Sequence, residues 1–355
     1  MPEPSKPHFT GAFDRLLYLR TLPLFGTLPP EDLALLATYT VEREFEAGVV
    51  LSSEVGRVEA IHLLVDGSVR TNRDGVEIGV FGPRDTVGVL GLLARTDAGV
   101  EAVTVTETRT LEIGAEALLD LFEDHFSILQ HVMSGVASLV LDKRRQILLA
   151  GAPEPKAEPT IARSHPLDFV ERIFFLRRAL PRGFTSVAAL AGIARRATEL
   201  RLEPGALLWS QGDPADAVVI PVSGSIACVV DGGTHRFRCG PGIFVASSEA
   251  LAGAPHWYEA RVDASLLALR VDIEDLIDVF DDHFELAMEM LALMARDLLE
   301  VAEPPVTPAA EAAAEADAVD AAVSDPTPPQ EPPINPSDPQ STYSPAPRED
   351  PAVEP

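Results

Sequence analysis

The most constraining feature of this chain is that it repeats itself. The segment Leu118-Leu-Asp-Leu-Phe-Glu-Asp-His-Phe126 returns as Leu276-Ile-Asp-Val-Phe-Asp-Asp-His-Phe284, 158 residues later. Leu19-Arg20 pairs with Leu176-Arg177, Gly48 with Gly205 and Gly67 with Gly224, each at an offset of 157. A nearly constant offset across separate features marks a tandem duplication. One fold therefore has to serve both halves of the chain.

Each half carries the same order of elements. In the first, Phe13, Leu16, Leu17 and Leu19 fall on one helical face. Leu28-Pro-Pro-Glu-Asp-Leu33 reads as a helix start, with proline in the first turn and acids at the positive end of the dipole. Short segments of strand character follow at 40–45, 61–65, 68–71, 76–81, 103–106 and 110–113. They are punctuated by Gly48, Gly67 and the hairpin signal 72–75. From 115 to 149 the apolar period becomes helical. The second half repeats this order between Pro166 and Val301. Its closing helix carries Leu286, Met290 and Leu293 on one stripe. Many short strands with glycine turns specify a closed double-stranded roll of jelly-roll type. The expected fold is thus mainly β with flanking helices, in two tandem domains at 13–150 and 166–302.

The remaining segments read differently. Residues 1–12 and the proline-containing linker 151–165 lack a core pattern. Residues 303–355 are rich in Pro, Ala and acids, with too little apolar surface to offset the entropy of ordering, and are expected to be disordered. An Ala-Glu run at 309–323 has the composition of a transient helix. Acidic residues outnumber basic ones 55 to 28, for a net charge of −27. That balance repels phosphate backbones and argues against nucleic acid or an anionic membrane as partner. No apolar run is long enough to span a bilayer, and the start lacks the basic-then-apolar run of a secretory signal. These features point to a cytoplasmic protein.

Helix, roll with glycine turns and long closing helix together resemble the cyclic-nucleotide-binding domain family. Catabolite-activator-type regulators and regulatory subunits of cyclic-AMP-dependent kinase belong to that family. The resemblance rests in the first half on Leu22-Pro-Leu-Phe25, Phe45-Glu-Ala-Gly48 and Val65-Asp-Gly67. In the second it rests on Leu202-Glu-Pro-Gly205, Gln211-Gly-Asp213, Val222-Ser-Gly224 and Gly240-Pro-Gly242. It implies a phosphate cassette in which a Gly-Glu step opens a short helix. The Glu takes the ribose hydroxyl, and an Arg nine or ten residues on pairs with the phosphate.

Measured against that pattern, the first cassette keeps Gly88 but has Val89 in place of the Glu. Leu90 follows, and Glu101 stands where the Arg would be; Arg95 comes too early. The second cassette is read as Ser248-Glu249-Ala250, with Glu249 retained and Tyr258 at the Arg position. His256 and Arg261 are the nearby groups that can carry positive charge. The cassette Arg is replaced in both copies, which argues against binding by the family's mechanism, and the second copy is the better place for a remnant.

No catalytic or metal constellation accompanies these motifs. His62, His235 and His256 are too dispersed for a metal cluster. His125 and His283 are helix-start residues repeated by the duplication. Cys228 and Cys239 lack redox spacing and read as buried thiols. Leu129, Val132, Val136 and Leu139 step as a coiled-coil seam does. They fit a homodimer interface and equally a helix packed back on its own roll. Lys143-Arg-Arg145 complements the end of that helix. The expected function is a non-enzymatic regulatory protein with a protein partner and no resident cofactor; a cyclic nucleotide is the ligand to test. The alternative is an interaction scaffold on a ligand-free roll, with the acidic tail as recruiting arm.

Overall fold

The computed structural model describes residues 9, 11–22, 24–53, 56–73, 75–95, 100–149, 166–180 and 186–301. The expected linker 151–165, the acidic tail and most of the expected N-terminal arm lie outside the described residues.

Helices α1 (Ala12–Leu19) and α2 (Pro30–Thr38) precede the first roll, and α2 has proline at its start with Glu31 and Asp32 in its first turn, as its sequence requires. The roll consists of two four-stranded antiparallel sheets. One has the order β1 (Val41–Phe45), β8 (Thr108–Gly114), β3 (Ala60–Asp66), β6 (Thr86–Val87). The other has the order β2 (Val50–Ser52), β7 (Val100–Thr104), β4 (Val69–Arg73), β5 (Val76–Phe81). Helix α3 (Val89–Ala94) sits between β6 and β7. β7 starts and ends earlier than its alternation suggests. β2 and β6, too short to show any period, escape a pattern reading.

The closing segment is two helices, α4 (Ala115–Asp124) and α5 (Phe126–Leu149), broken at His125. His125 leaves the helical region (φ −135°, ψ 81°), and its carbonyl accepts from the Ile128 amide at 3.0 Å. His283 repeats this elbow (φ −138°, ψ 73°), its carbonyl accepting from the Leu286 amide at 2.8 Å. The duplicated Asp-His step is thus a corner between helices.

The second copy runs α6 (Phe169–Ala179), α7 (Val187–Arg196), β9 (Thr198–Leu202), β10 (Leu207–Trp209), β11 (Ala217–Val230), β12 (His235–Cys239), α8 (Ser247–Ala252), β13 (Glu259–Asp272), α9 (Ile273–Asp282) and α10 (Phe284–Val301). Asp168 opens α6 with a reciprocal capping pair to Glu171. β11 and β13 pass through both halves of the roll where the first copy uses separate strands. Their register shifts between Pro221 and Ile226, around Gly224. Gly224 (φ +82°) and its equivalent Gly67 (φ +86°) are the points where the chain crosses from one half to the other.

Apolar burial divides into three parts. The interior of the first roll holds Leu64, Val69, Val87 and Ala102. That of the second holds Ile226, Cys228, Phe237, Tyr258 and Val262, joined by Leu141 of α5 from the first copy. The largest cluster combines helices of both copies, from Phe25 and Phe122 to Phe280 and Leu291. Burial of this kind contributes about 25 cal/mol per Å², and here it ties the two rolls together. Leu129, Val132 and Val136 are buried in that shared cluster, while Leu139 is half exposed. The seam drawn for a homodimer is therefore covered within one chain, by contacts of α5 with α10 and α8. No helix among the described residues is long and apolar enough to cross a membrane.

Candidate functional site

The two cassette helices are built alike. α3 follows Gly88 in a left-handed conformation (φ +91°) and stops at left-handed Arg95 (φ +53°). α8 follows Ala246 (φ +65°) and stops at left-handed Gly253 (φ +64°). Equal length and equal caps set the register: Ala246 is the counterpart of Gly88 and Ser247 that of Val89. The sequence reading puts the Gly-Glu step at Ser248-Glu249, two residues later than this left-handed cap. The difference has a physical origin. A left-handed cap costs an alanine about 1–2 kcal/mol relative to the right-handed region, so nothing in the letter Ala announces it. With that register neither copy has a Glu at the cassette's first helical position. Counted from Ser247, Tyr258 is eleven residues on, past the place of the cassette Arg.

In the first copy the cassette helix is covered by the last helix of the second. Val89 and Leu90 pack against the shared apolar cluster. Glu101, on β7, accepts from the Asn72 side chain at 3.3 Å. Arg95 turns to α10 of the second copy, facing Glu285 at 3.4 Å and Glu289 at 3.5 Å. Arg296 of α10 donates to the Ala94 carbonyl at 2.9 Å, and Arg73 donates to the Leu299 carbonyl at 2.8 Å. The last helix of copy two thus lies on the cassette of copy one.

The reciprocal contact leaves a space. α5 of copy one packs on α8 of copy two, and between them lies a cavity of about 340 Å³. Its wall is mostly apolar: Leu141, Ile147 and Leu148 from α5, with Phe237, Phe244 and Trp257 from the second roll. Phe237 stacks on Trp257 at 5.7 Å and meets the Tyr258 ring edge-on at 4.9 Å. Arg144 and Glu249 are the charged residues that line it. Arg144 donates to Asp297 at 3.0 Å and to the Ser248 hydroxyl at 3.5 Å. Ala250, which follows Glu249, is buried in the helical cluster.

Burial pushes the Glu249 carboxyl up from its ordinary range. Hydrogen bonds from Trp257 and Tyr258 and the charge of Arg144 pull the other way without cancelling that rise. Tyr258 is pushed well above its usual value, first by burial and then by the Glu249 charge. The phenol therefore stays neutral and serves as a hydrogen-bond donor. Cys228 is likewise raised well above the ordinary thiol range, by burial and then by its contact with Cys239, and both cysteines are free. His256 turns away from this cavity and stacks on Trp209 at 4.2 Å. Arg261, the other candidate cation, pairs with Glu259 at 2.6 Å. Among the described residues no group of three His, Cys, Asp or Glu side chains could hold a metal ion.

Glu249 and Tyr258 line one pocket, whose outer wall belongs to the other copy. Leu141, Arg144, Trp257 and Asp297 were missed. The sequence reads Lys143-Arg-Arg145 as complementing the end of its own helix; in the structure Arg144 reaches the pocket and Arg145 lies over the Trp257 ring at 5.6 Å.

Residues 42–125 and 199–283 match the family model of the cyclic nucleotide-binding domain. Among solved structures, the regulatory subunit of a cAMP-independent protein kinase A from Trypanosoma brucei is 17% identical at a TM-score of 0.32, with 87% of this chain and 98% of that one covered. The regulatory domain of Toxoplasma gondii PKA, crystallised with cAMP, is 17% identical at a TM-score of 0.30, covering 81% and 97%. A cyclic nucleotide-binding-like protein from Brucella abortus is 28% identical at a TM-score of 0.28, covering 31% of this chain and 98% of that one. No curated protein matches.

Proposed function

We propose that this chain, which carries two cyclic nucleotide-binding domains in tandem, is a non-enzymatic regulatory protein with divided roles. The second domain reads a small-molecule signal. The first is a frame that covers the reading site and carries the result to a protein partner. One observation supports this most: the cavity beside Glu249 and Tyr258 is walled by α5 of the first domain, through Leu141, Arg144, Ile147 and Leu148. Whatever enters the cavity must touch the helix that packs against α10. Occupancy and the packing of the two long helices are thereby linked, as a sensor requires.

In the first domain, Val89 and Leu90 pack into the apolar cluster and Glu101 is held by Asn72, which supports a ligand-free scaffold there. Calorimetric titration of the full chain with cyclic AMP, cyclic GMP and cyclic dinucleotides tests the reading. The expected result is one equivalent bound per chain, with a change in the emission of Trp257, which lines the cavity. Two equivalents would contradict the division of roles. Absence of heat from all of them, with the protein folded, would leave the scaffold reading for both domains.

A further inference from the structure

We infer that Arg144, a residue of the first domain, pairs with the anionic group of the ligand held in the second domain's pocket. The inference rests on the proposed ligand-reading role of that pocket. A ring with one anionic group, sized for the cavity, would find an aromatic and aliphatic wall for the ring and one cation for the charge. Phe237, Trp257, Ile147 and Leu148 supply the wall. Arg144 is the one cationic side chain that lines the cavity among the described residues. The other basic groups nearby are engaged elsewhere: Arg145 over the Trp257 ring, Arg261 with Glu259, and Arg238 with Asp263 at 2.9 Å.

Arg144 is also free enough to change partner. Its side chain is 51% exposed and that of Asp297 37%. An ion pair that open to water contributes little. The planar guanidinium already points one nitrogen at Asp297 and another at Ser248 on the pocket side. A ligand anion can therefore take the fork bidentately in place of Asp297. That exchange would release the tie between α5 and α10 whenever the pocket fills. The second domain's missing cassette arginine is in this way replaced by one from the other copy.

The test compares cyclic AMP with adenosine, which keeps the ring and ribose and lacks the phosphate. Binding of each is measured by calorimetry to the full chain, to Arg144→Gln and to Asp297→Asn, with a melting curve for each variant. Arg144→Gln is expected to weaken cyclic AMP about tenfold or more, the value of a charge-assisted hydrogen bond, and to leave adenosine within about twofold. Asp297→Asn, which frees Arg144 without removing it, is expected to strengthen cyclic AMP severalfold. Equal weakening of both compounds by Arg144→Gln, or cyclic AMP binding unaltered in both variants, would overturn the assignment of Arg144 alone. A folded wild-type chain that binds neither compound would overturn this inference, and the ligand reading itself falls with it if cyclic GMP and the cyclic dinucleotides also give no heat.

Discussion

Replacing Gly224 with alanine is expected to cost about 3 kcal/mol or more of folding stability. The backbone there has φ +82°, and a Cβ would stand 2.2 Å from the Ser265 carbonyl oxygen and 2.7 Å from that of Ala264. Neither obstacle is the tip of a flexible side chain. A left-handed alanine costs about 1–2 kcal/mol, and forcing packed backbone apart adds about 1–3 kcal/mol. Gly205 is the control. It has φ +88°, yet a Cβ there meets nothing within 4 Å, so Gly205→Ala should lose only the conformational part. Urea midpoints at constant slope measure both. Equal losses at the two sites would refute the claim that close approach at the crossing decides the larger one.

Phe280→Ala is expected to cost about 3–5 kcal/mol, as is its duplicate Phe122→Ala, because each ring is fully buried and its removal leaves a cavity. What sets this pair apart is how the loss is read. Both rings belong to one apolar cluster assembled from the helices of both copies. The two substitutions should therefore lower the same cooperative transition, by similar amounts, when unfolding is followed by calorimetry. Two separate transitions, each sensitive to one substitution, would mean that the rolls fold independently and that the shared cluster adds little.

How far the sequence could be read depended on whether a feature was local. Gly67 and Gly224 were legible because a tight crossing demands glycine and the duplication shows it twice. The Asp-His step before each long helix was legible as a helix start for the same reason. It took the structure to show an elbow, since φ at His125 does not follow from the residue type. The register of the second cassette was not legible. A search for a small residue followed by Glu finds Ser248-Glu249, whereas the chain turns at Ala246, a residue that pays for its left-handed φ with support from the strands around it. The pocket was the least legible of all. Glu249 and Tyr258 lie close in sequence, but Leu141 and Arg144 come from more than a hundred residues earlier, on a helix whose apolar stripe fitted a dimer seam equally well. Which roll that helix covers is a matter of topology, and periodicity along one segment carries no information about it.

Reciprocal covering of the cassettes is the centre of this account, and amide hydrogen exchange on the full chain tests it most directly. Arg296 lies in the second copy and holds the Ala94 carbonyl of the first, while Arg144 lies in the first and reaches Ser248 of the second. Arg296→Ala should speed exchange in α3 and leave α8 unchanged, and Arg144→Ala should speed exchange in α8 and leave α3 unchanged. Loosening confined to the copy that carries the substitution would contradict the account.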